Sequence, residues 1–218
     1  MKTKIKEIFT SIQGEGPYIG YKQLFVRFCG CNLNCRYCDT DFSPKDAREY
    51  STEELIDICK KNLDCHSVSL TGGEPLLNIE FLKEFIPQSP LPVYLETNGT
   101  LYENLKKVIE NITYIASDIK LPSCTEMTEK WDIHDKFFDI AKNKILFAKA
   151  VFDEKIRENE IKNLSNLCSK YDIELILQPK MTGLTSSVSS EFISSVLNRF
   201  EYRKVRVIPQ VHKFLGVE

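Results

Sequence analysis

Ser67-Val68-Ser69-Leu70-Thr71-Gly72-Gly73-Glu74-Pro75 reads as a short strand that runs into a tight exit. Val68 and Leu70 alternate with hydroxyl side chains, the two-residue period of a strand. The paired glycines permit a sharp backbone path, and Pro75 stiffens the way out. A helix from Ile79 to Ile86 follows. The same strand-to-helix unit recurs on both sides. Upstream, Leu24, Val26 and Phe28 alternate with Phe25 and Arg27, which predicts a strand over 22–29. Ser51-Thr52-Glu53-Glu54 is a capping box that starts a helix through Leu55, Ile58 and Cys59. Downstream, strands are expected from Pro92 to Glu96, Tyr114 to Lys120, Lys144 to Phe152, Ile173 to Leu177 and Lys204 to Pro209. Helices are expected over Leu101 to Asn111, 129–142, 154–170 and Val188 to Phe200.

Such alternation predicts an α/β fold with a parallel sheet and helices outside it. About six parallel strands are too few for a full eightfold barrel. A partial, laterally open (β/α) barrel is therefore expected, built as a single domain over 1–218. Polar groups recur at the expected strand C-termini: Thr71-Gly72-Gly73-Glu74, Glu96-Thr97-Asn98, Ser117-Asp118 with Lys120, and Gln178. In barrel-like α/β folds that end carries the chemistry.

Between the first of these strands and the first helix lies Cys31-Asn32-Leu33-Asn34-Cys35-Arg36-Tyr37-Cys38-Asp39-Thr40. Soft thiolates suit zinc or iron–sulfur iron. A structural zinc site takes four protein ligands, often as two separated pairs. Three thiolates in a compact C-x3-C-x2-C triplet suit three irons of a 4Fe–4S cluster, with the fourth iron open to an outside ligand. Two other readings exist. Cys29 could complete a four-sulfur zinc knuckle, or the thiols could be idle core residues. Cys29 ends an apolar strand and reads as a strand-end residue. Cys59, Cys65, Cys124 and Cys168 read as buried or incidental thiols.

The chain has 218 residues, 42% hydrophobic and 28% charged, the composition of a folded globular protein. A net charge of −2 argues against a general nucleic-acid binder. The first residues carry no apolar signal segment, and no apolar run approaches ~18 residues, so a membrane span is not expected. Eight cysteines without a signal peptide suit a reducing cytoplasm, where clustered Cys means metal or redox chemistry. Two further features admit two readings each. The segment Gln13-Gly14-Glu15-Gly16-Pro17 is either a plain connector or a loop that brings backbone close to a ligand. Arg27, in an otherwise apolar strand, needs an anionic partner. That partner is either a structural carboxylate or the carboxylate of a substrate.

Cys31-x3-Cys35-x2-Cys38, with Tyr37 before the last Cys, resembles the signature of radical S-adenosylmethionine enzymes. Gly72-Gly73-Glu74-Pro75 is similar to that superfamily's second motif. Ile12-Gln13-Gly14-Glu15-Gly16, Arg27, Cys38-Asp39-Thr40 and the tail Pro209-Gln210-Val211-His212-Lys213 narrow the resemblance to the 7-carboxy-7-deazaguanine synthase family, over about residues 5–213. Residues 121–145 add little to the match.

The resemblance implies a carbon–nitrogen lyase of radical S-adenosylmethionine type. It would convert 6-carboxy-5,6,7,8-tetrahydropterin to 7-carboxy-7-deazaguanine and ammonia, a step toward 7-deazapurines such as queuosine in tRNA. A 5′-deoxyadenosyl radical would abstract hydrogen, and the adenosyl cofactor would be regenerated. The implied cofactors are a 4Fe–4S cluster on Cys31, Cys35 and Cys38, S-adenosylmethionine, and Mg2+ on Thr40. The implied S-adenosylmethionine site is Tyr37, Gly73, Glu74, Ser117, Asp118, Lys120 and Gln178. The implied pterin site is Ile12, Gln13, Gly14, Arg27, Thr71 and His212, with Arg27 on the carboxylate. No side chain is assigned as catalytic, since the cofactor radical carries the chemistry. The implied partners are a flavodoxin- or ferredoxin-like electron donor and a second copy in a homodimer, with no direct nucleic-acid contact. The alternative is an activase that installs a glycyl radical on a partner enzyme. His66 and His134 read as surface residues.

Overall fold

The computed structural model describes residues 1–36, 38 and 40–217. In chain order the elements are β1 (Lys2–Ile12), β2 (Lys22–Phe28), β3 (Arg48–Ser51), α1 (Thr52–Lys60), β4 (Ser67–Gly72), α2 (Ile79–Phe85), β5 (Val93–Thr97), α3 (Tyr102–Lys106), β6 (Tyr114–Asp118) and α4 (Pro122–Thr125). They continue with α5 (Trp131–Ala141), β7 (Ile145–Phe152), α6 (Glu158–Tyr171), β8 (Glu174–Pro179), β9 (Met181–Thr182), β10 (Thr185–Ser186), α7 (Ser190–Asn198), β11 (Val205–Val207) and α8 (Val211–Leu215).

One sheet carries nine of the strands in the order β11-β8-β7-β6-β5-β4-β2-β1-β3. Every pairing from β2 to β11 is parallel, while β1 runs antiparallel to β2 and β3 antiparallel to β1. Among the described residues this makes seven parallel strands, where the sequence suggests about six. The ends β3 and β11 do not pair with each other, so the barrel is open. The expected helix over 101–111 is cut short. Val108 sits at φ −130°, ψ −3°, which ends the α-helical path and leaves a separate 3-10 turn at Ile109–Asn111.

Strand periodicity sorts the side chains into two layers. Outward-facing Val68, Leu70, Leu95, Ile115, Leu146, Ala148, Leu175 and Leu177 pack under the helices in the main core. Inward-facing residues change character along the barrel axis. At the N-terminal ends, Tyr94, Ala116, Phe147 and Ile176 pack with Tyr18 and Tyr114 as an apolar plug. Two residues further along the same strands stand Glu96, Asp118, Lys149 and Gln178, which line a cavity. The capping box at α1 is present, with Glu54 N donating to Ser51 Oγ and Ser51 N to the Glu54 carboxylate.

His134 is a correction to the sequence reading. It is 2% exposed, on the inner face of α5 with Phe137, Phe138 and Ala141. Burial pushes its imidazole down to about 4. The helical period alone places it there, because residues three and four apart share a face. His66 is half-buried against Tyr18, Tyr21 and Tyr114. Cys59, Cys65, Cys124 and Cys168 are buried, as their reading as idle thiols requires.

Candidate active site

A cavity of about 400 Å³ opens at the C-terminal ends of the parallel strands, a size typical of small-molecule sites. Cys31, Cys35, Cys38 and Thr40 line one side of it, and Gln13, Gly14, Arg27 and His212 line another. Ile12, Thr71, Gly73, Asp118, Lys120 and Gln178 line it as well. The structure therefore gathers into one space residues spread from position 12 to 212. Tyr37 and Asp39 lie outside the described residues.

Backbone contacts fasten the cysteine loop to the turn after β4. Gly73 N donates to Phe28 O (3.1 Å), Glu74 N to Gly30 O (2.8 Å) and Gly30 N to Phe42 O (2.8 Å). Leu33 N lies 3.4 Å and Asn98 Nδ2 3.9 Å from Cys31 Sγ, each as a donor to sulfur. Such hydrogen bonds tune the potential of a thiolate-held cluster. Cys29 does not line the cavity; its Sγ faces Ser43 O at 3.7 Å.

Among the described residues no three His, Cys, Asp or Glu side chains gather around a single ion-sized point. Three cysteines on one cavity suit a 4Fe–4S cluster, which would take one iron at each sulfur. Burial pushes the Cys31 and Cys35 thiols up, so cluster binding has to displace protons there.

Two expected cofactor residues sit behind the cavity wall. Glu74 is fully buried and accepts from Thr97 Oγ1 (2.9 and 3.0 Å), Asn98 N (2.8 Å) and Leu76 N (3.0 Å). Burial pushes its carboxyl up to about 7, against the pull of those donors. It shapes the site through Asn98, which does line the cavity and donates to Asn32 Oδ1 at 2.8 Å. Ser117 is buried under Gly99: a β-carbon added there would lie 2.4 Å from Ser117 Oγ and 3.0 Å from His134 Nδ1.

On the opposite wall, Arg27 pairs with Glu7 at 2.8 Å and lies over the Phe9 ring. Arg27 is nonetheless part of the cavity lining. The two readings of Arg27 thus coexist: one carboxylate of the chain fixes it, and the open side faces the space. Gln13 donates to Gln23 Oε1 (3.1 Å) and Glu96 Oε1 (2.9 Å). Ser69 and Thr71 also donate to Glu96, each at 3.2 Å. Glu96, at a strand end, was legible as a polar terminus but carried no assigned role. Gly14 lies under His212, whose Nδ1 would be 2.2 Å from an added β-carbon.

Glu15 is the hub of the glycine-rich loop. Lys149 pairs with its carboxylate, and Gln178 Nε2 (3.2 Å) and Gln210 Nε2 (2.8 Å) donate to Oε1. Burial would raise its pKa, but the Lys149 charge and these donors hold it at about 2. A carboxyl depressed from 4.5 stabilises the fold above pH 4.5, and that stability is lost as pH falls toward 2. Between pH 7 and pH 3 this one group accounts for about 2 kcal/mol. Denaturant titrations should therefore show the Glu15→Gln protein losing about 2 kcal/mol less than the parent over that interval. Equal losses would mean that Glu15 is not held ionised. Lys149 was missed from sequence, although a lysine inside the apolar strand β7 carries the same signal as Arg27.

Residues 25–137 match the Radical SAM superfamily. A 7-carboxy-7-deazaguanine synthase from Geobacter sulfurreducens is 37% identical, over 98% of this chain and 97% of its own length. One from Archaeoglobus fulgidus is 35% identical with both chains covered in full. The chain belongs to the 7-carboxy-7-deazaguanine synthase family of radical SAM proteins. A crystal structure of QueE from Escherichia coli matches the fold with a TM-score of 0.68 at 20% identity, over 97% of this chain and 95% of that one. The three cysteines and the first two residues of the second motif, Gly72 and Gly73, line one cavity. Among the described residues no helix is long and apolar enough to cross a membrane.

Proposed function

We infer that this chain converts 6-carboxy-5,6,7,8-tetrahydropterin to 7-carboxy-7-deazaguanine with release of ammonia. The observation that carries the reading is the cavity itself, which joins three clustered cysteines to a half-buried arginine and a glycine-rich loop in a member of the synthase family. Cys31, Cys35 and Cys38 hold the cluster. Gly73, Asp118, Lys120 and Gln178, with Tyr37 and with Glu74 and Ser117 behind them, form the S-adenosylmethionine side. Cluster and cofactor, when bound, supply one-electron chemistry that removes a hydrogen atom from the substrate. The rest falls to the chain. Arg27 grips the pterin carboxylate, since its planar fork matches a carboxylate. The Gln13–Glu96 pair and Thr71 present donors and acceptors to the ring, and Gly14 and His212 cover it. The Thr40 hydroxyl, a hard oxygen beside Cys38 in the lining, suits Mg2+, which keeps several of its waters.

The activase reading fits less well. A partner protein's backbone needs an open groove, whereas the tail folds over this cavity, with Val211 N donating to Gly14 O at 2.8 Å. The finer roles follow from the same reading: a single domain, a cytoplasmic setting, a flavodoxin- or ferredoxin-like electron donor, a homodimer, and a product that feeds 7-deazapurine synthesis such as queuosine.

The decisive assay incubates reduced, reconstituted protein with S-adenosylmethionine and the carboxylated pterin. Ring-contracted acid and ammonia are expected. Cofactor cleavage without any pterin conversion would overturn the substrate while leaving the radical chemistry. Arg27→Ala should raise KM for the pterin about ten- to a hundredfold, the loss of a charged hydrogen-bonded pair. Its affinity for S-adenosylmethionine should hold. A parallel loss of both would reduce Arg27 to a partner for Glu7.

A further inference from the structure

Four charges cross the cavity floor in alternating sign. Glu15 pairs with Lys149, Lys149 Nζ lies 3.6 Å from Asp118 Oδ2, and Lys120 Nζ lies 2.7 Å from that same oxygen. None of the four side chains is more than 17% exposed. Glu15 belongs to the loop assigned to the pterin, and Asp118 and Lys120 to the strand end assigned to S-adenosylmethionine. Lys149 lies between the two carboxylates, one from each half, while Glu15 also reaches the cofactor side through Gln178. It comes from the middle of β7, whose neighbours Ala148 and Ala150 are fully buried in the core, so its stem starts from a rigid base. Glu15 is in turn the residue through which Gln178 and Gln210 hold the loop and the tail.

We propose that Lys149 is a positioning residue for the reaction, its ammonium fixing the separation between the pterin loop and the cofactor side of the cavity. The proposal rests on the functional reading above. Without the ammonium, the Glu15 carboxylate loses its ion-pair partner and faces Asp118, which Lys120 still pairs. They part or draw in water, and the loop shifts with Glu15. A shift of about 1 Å in a reacting centre costs about a hundredfold in rate. Hydrogen abstraction tolerates little such slack, because a misplaced substrate lets the cofactor be consumed without product.

The test uses reconstituted holoenzyme as parent, Lys149→Met and the pair Glu15→Gln/Lys149→Met. Methionine keeps the apolar stem and removes only the charge. Four quantities are read: the rate of product formation, 5′-deoxyadenosine formed per 7-carboxy-7-deazaguanine, amide hydrogen exchange over residues 13–20, and the unfolding temperature. In the parent the cofactor is regenerated, so that ratio is low. In Lys149→Met, product formation should fall about a hundredfold, the ratio should rise above one, and amides of 13–20 should exchange faster. The double variant, with no unpaired charge left on the loop, should recover its unfolding temperature but not the low ratio. A Lys149→Met enzyme that stays coupled with unchanged loop exchange overturns the proposal. So does a double variant that regains full coupling, since Lys149 would then only neutralise Glu15. A parent that makes no product overturns the functional reading instead, and the loop exchange, which needs no turnover, still reads Lys149.

Discussion

Cys35→Ala should abolish both iron retention and pterin conversion, while Cys29→Ala should change neither. The four cysteines are close in sequence, so composition alone does not separate them. The fold does. Cys31, Cys35 and Cys38 line the cavity, whereas Cys29 follows the last residue of β2 and its sulfur faces Ser43 O outside it. A cluster held by three cysteines keeps one iron open, and the loss of any one of the three leaves too few protein ligands. Iron analysis and visible absorption of anaerobically reconstituted variants decide the matter. Loss of iron in Cys29→Ala equal to that in Cys35→Ala would make the site a four-sulfur one with no open corner.

Gly73→Ala should destabilise the protein by about 4 kcal/mol or more, in the exceptional class that signals a forced backbone. A β-carbon at Gly73 would lie 1.8 Å from Gly30 O and 2.5 Å from Gly30 C. Both atoms are backbone, so no side-chain rotation relieves the overlap. Gly30 O is also the acceptor for Glu74 N at 2.8 Å. The substitution therefore breaks the junction of the cysteine loop and the β4 turn, and the cluster should be lost with the stability. Gly20→Ala is the control: its added β-carbon would meet nothing within 4 Å, although at φ +88° it still carries backbone strain. Chemical denaturation of the two variants compares them directly. A Gly73→Ala protein no less stable than Gly20→Ala would mean that the two loops separate freely.

The parallel strands and their polar ends were legible because parallel strands buried on both faces leave little room for ambiguity. Ile145–Phe152 shows this, with one lysine in an otherwise apolar run. β1 was not legible. Lys2, Lys4, Lys6 and Glu7 break its apolar pattern, and it is held as a strand by partners on both sides, β2 and β3. Lys6 reaches Asp41 at 2.8 Å, a contact far away in sequence. His134 was misplaced for a related reason. A polar helix was read from its charged face, and the imidazole went unrecognised on the other one. Cys31, Cys35, Cys38, Arg27 and Gly73 could be found from spacing and from residue type. Lys149 stands out in its apolar strand, but its pairing with Glu15, and the hub there, depend on which strands meet across a barrel, and local pattern does not carry that.

Among the described residues β3 and β11 do not pair, yet the tail beyond β11 is tied to the loop beyond β1, the strand next to the opposite edge. Val211, just beyond β11, donates to Gly14, just beyond β1, and Gln210 reaches Glu15 beside it. The hoop is thus buckled at its working face. Widening the ring at that edge would therefore have to break the Val211–Gly14 and Gln210–Glu15 bonds.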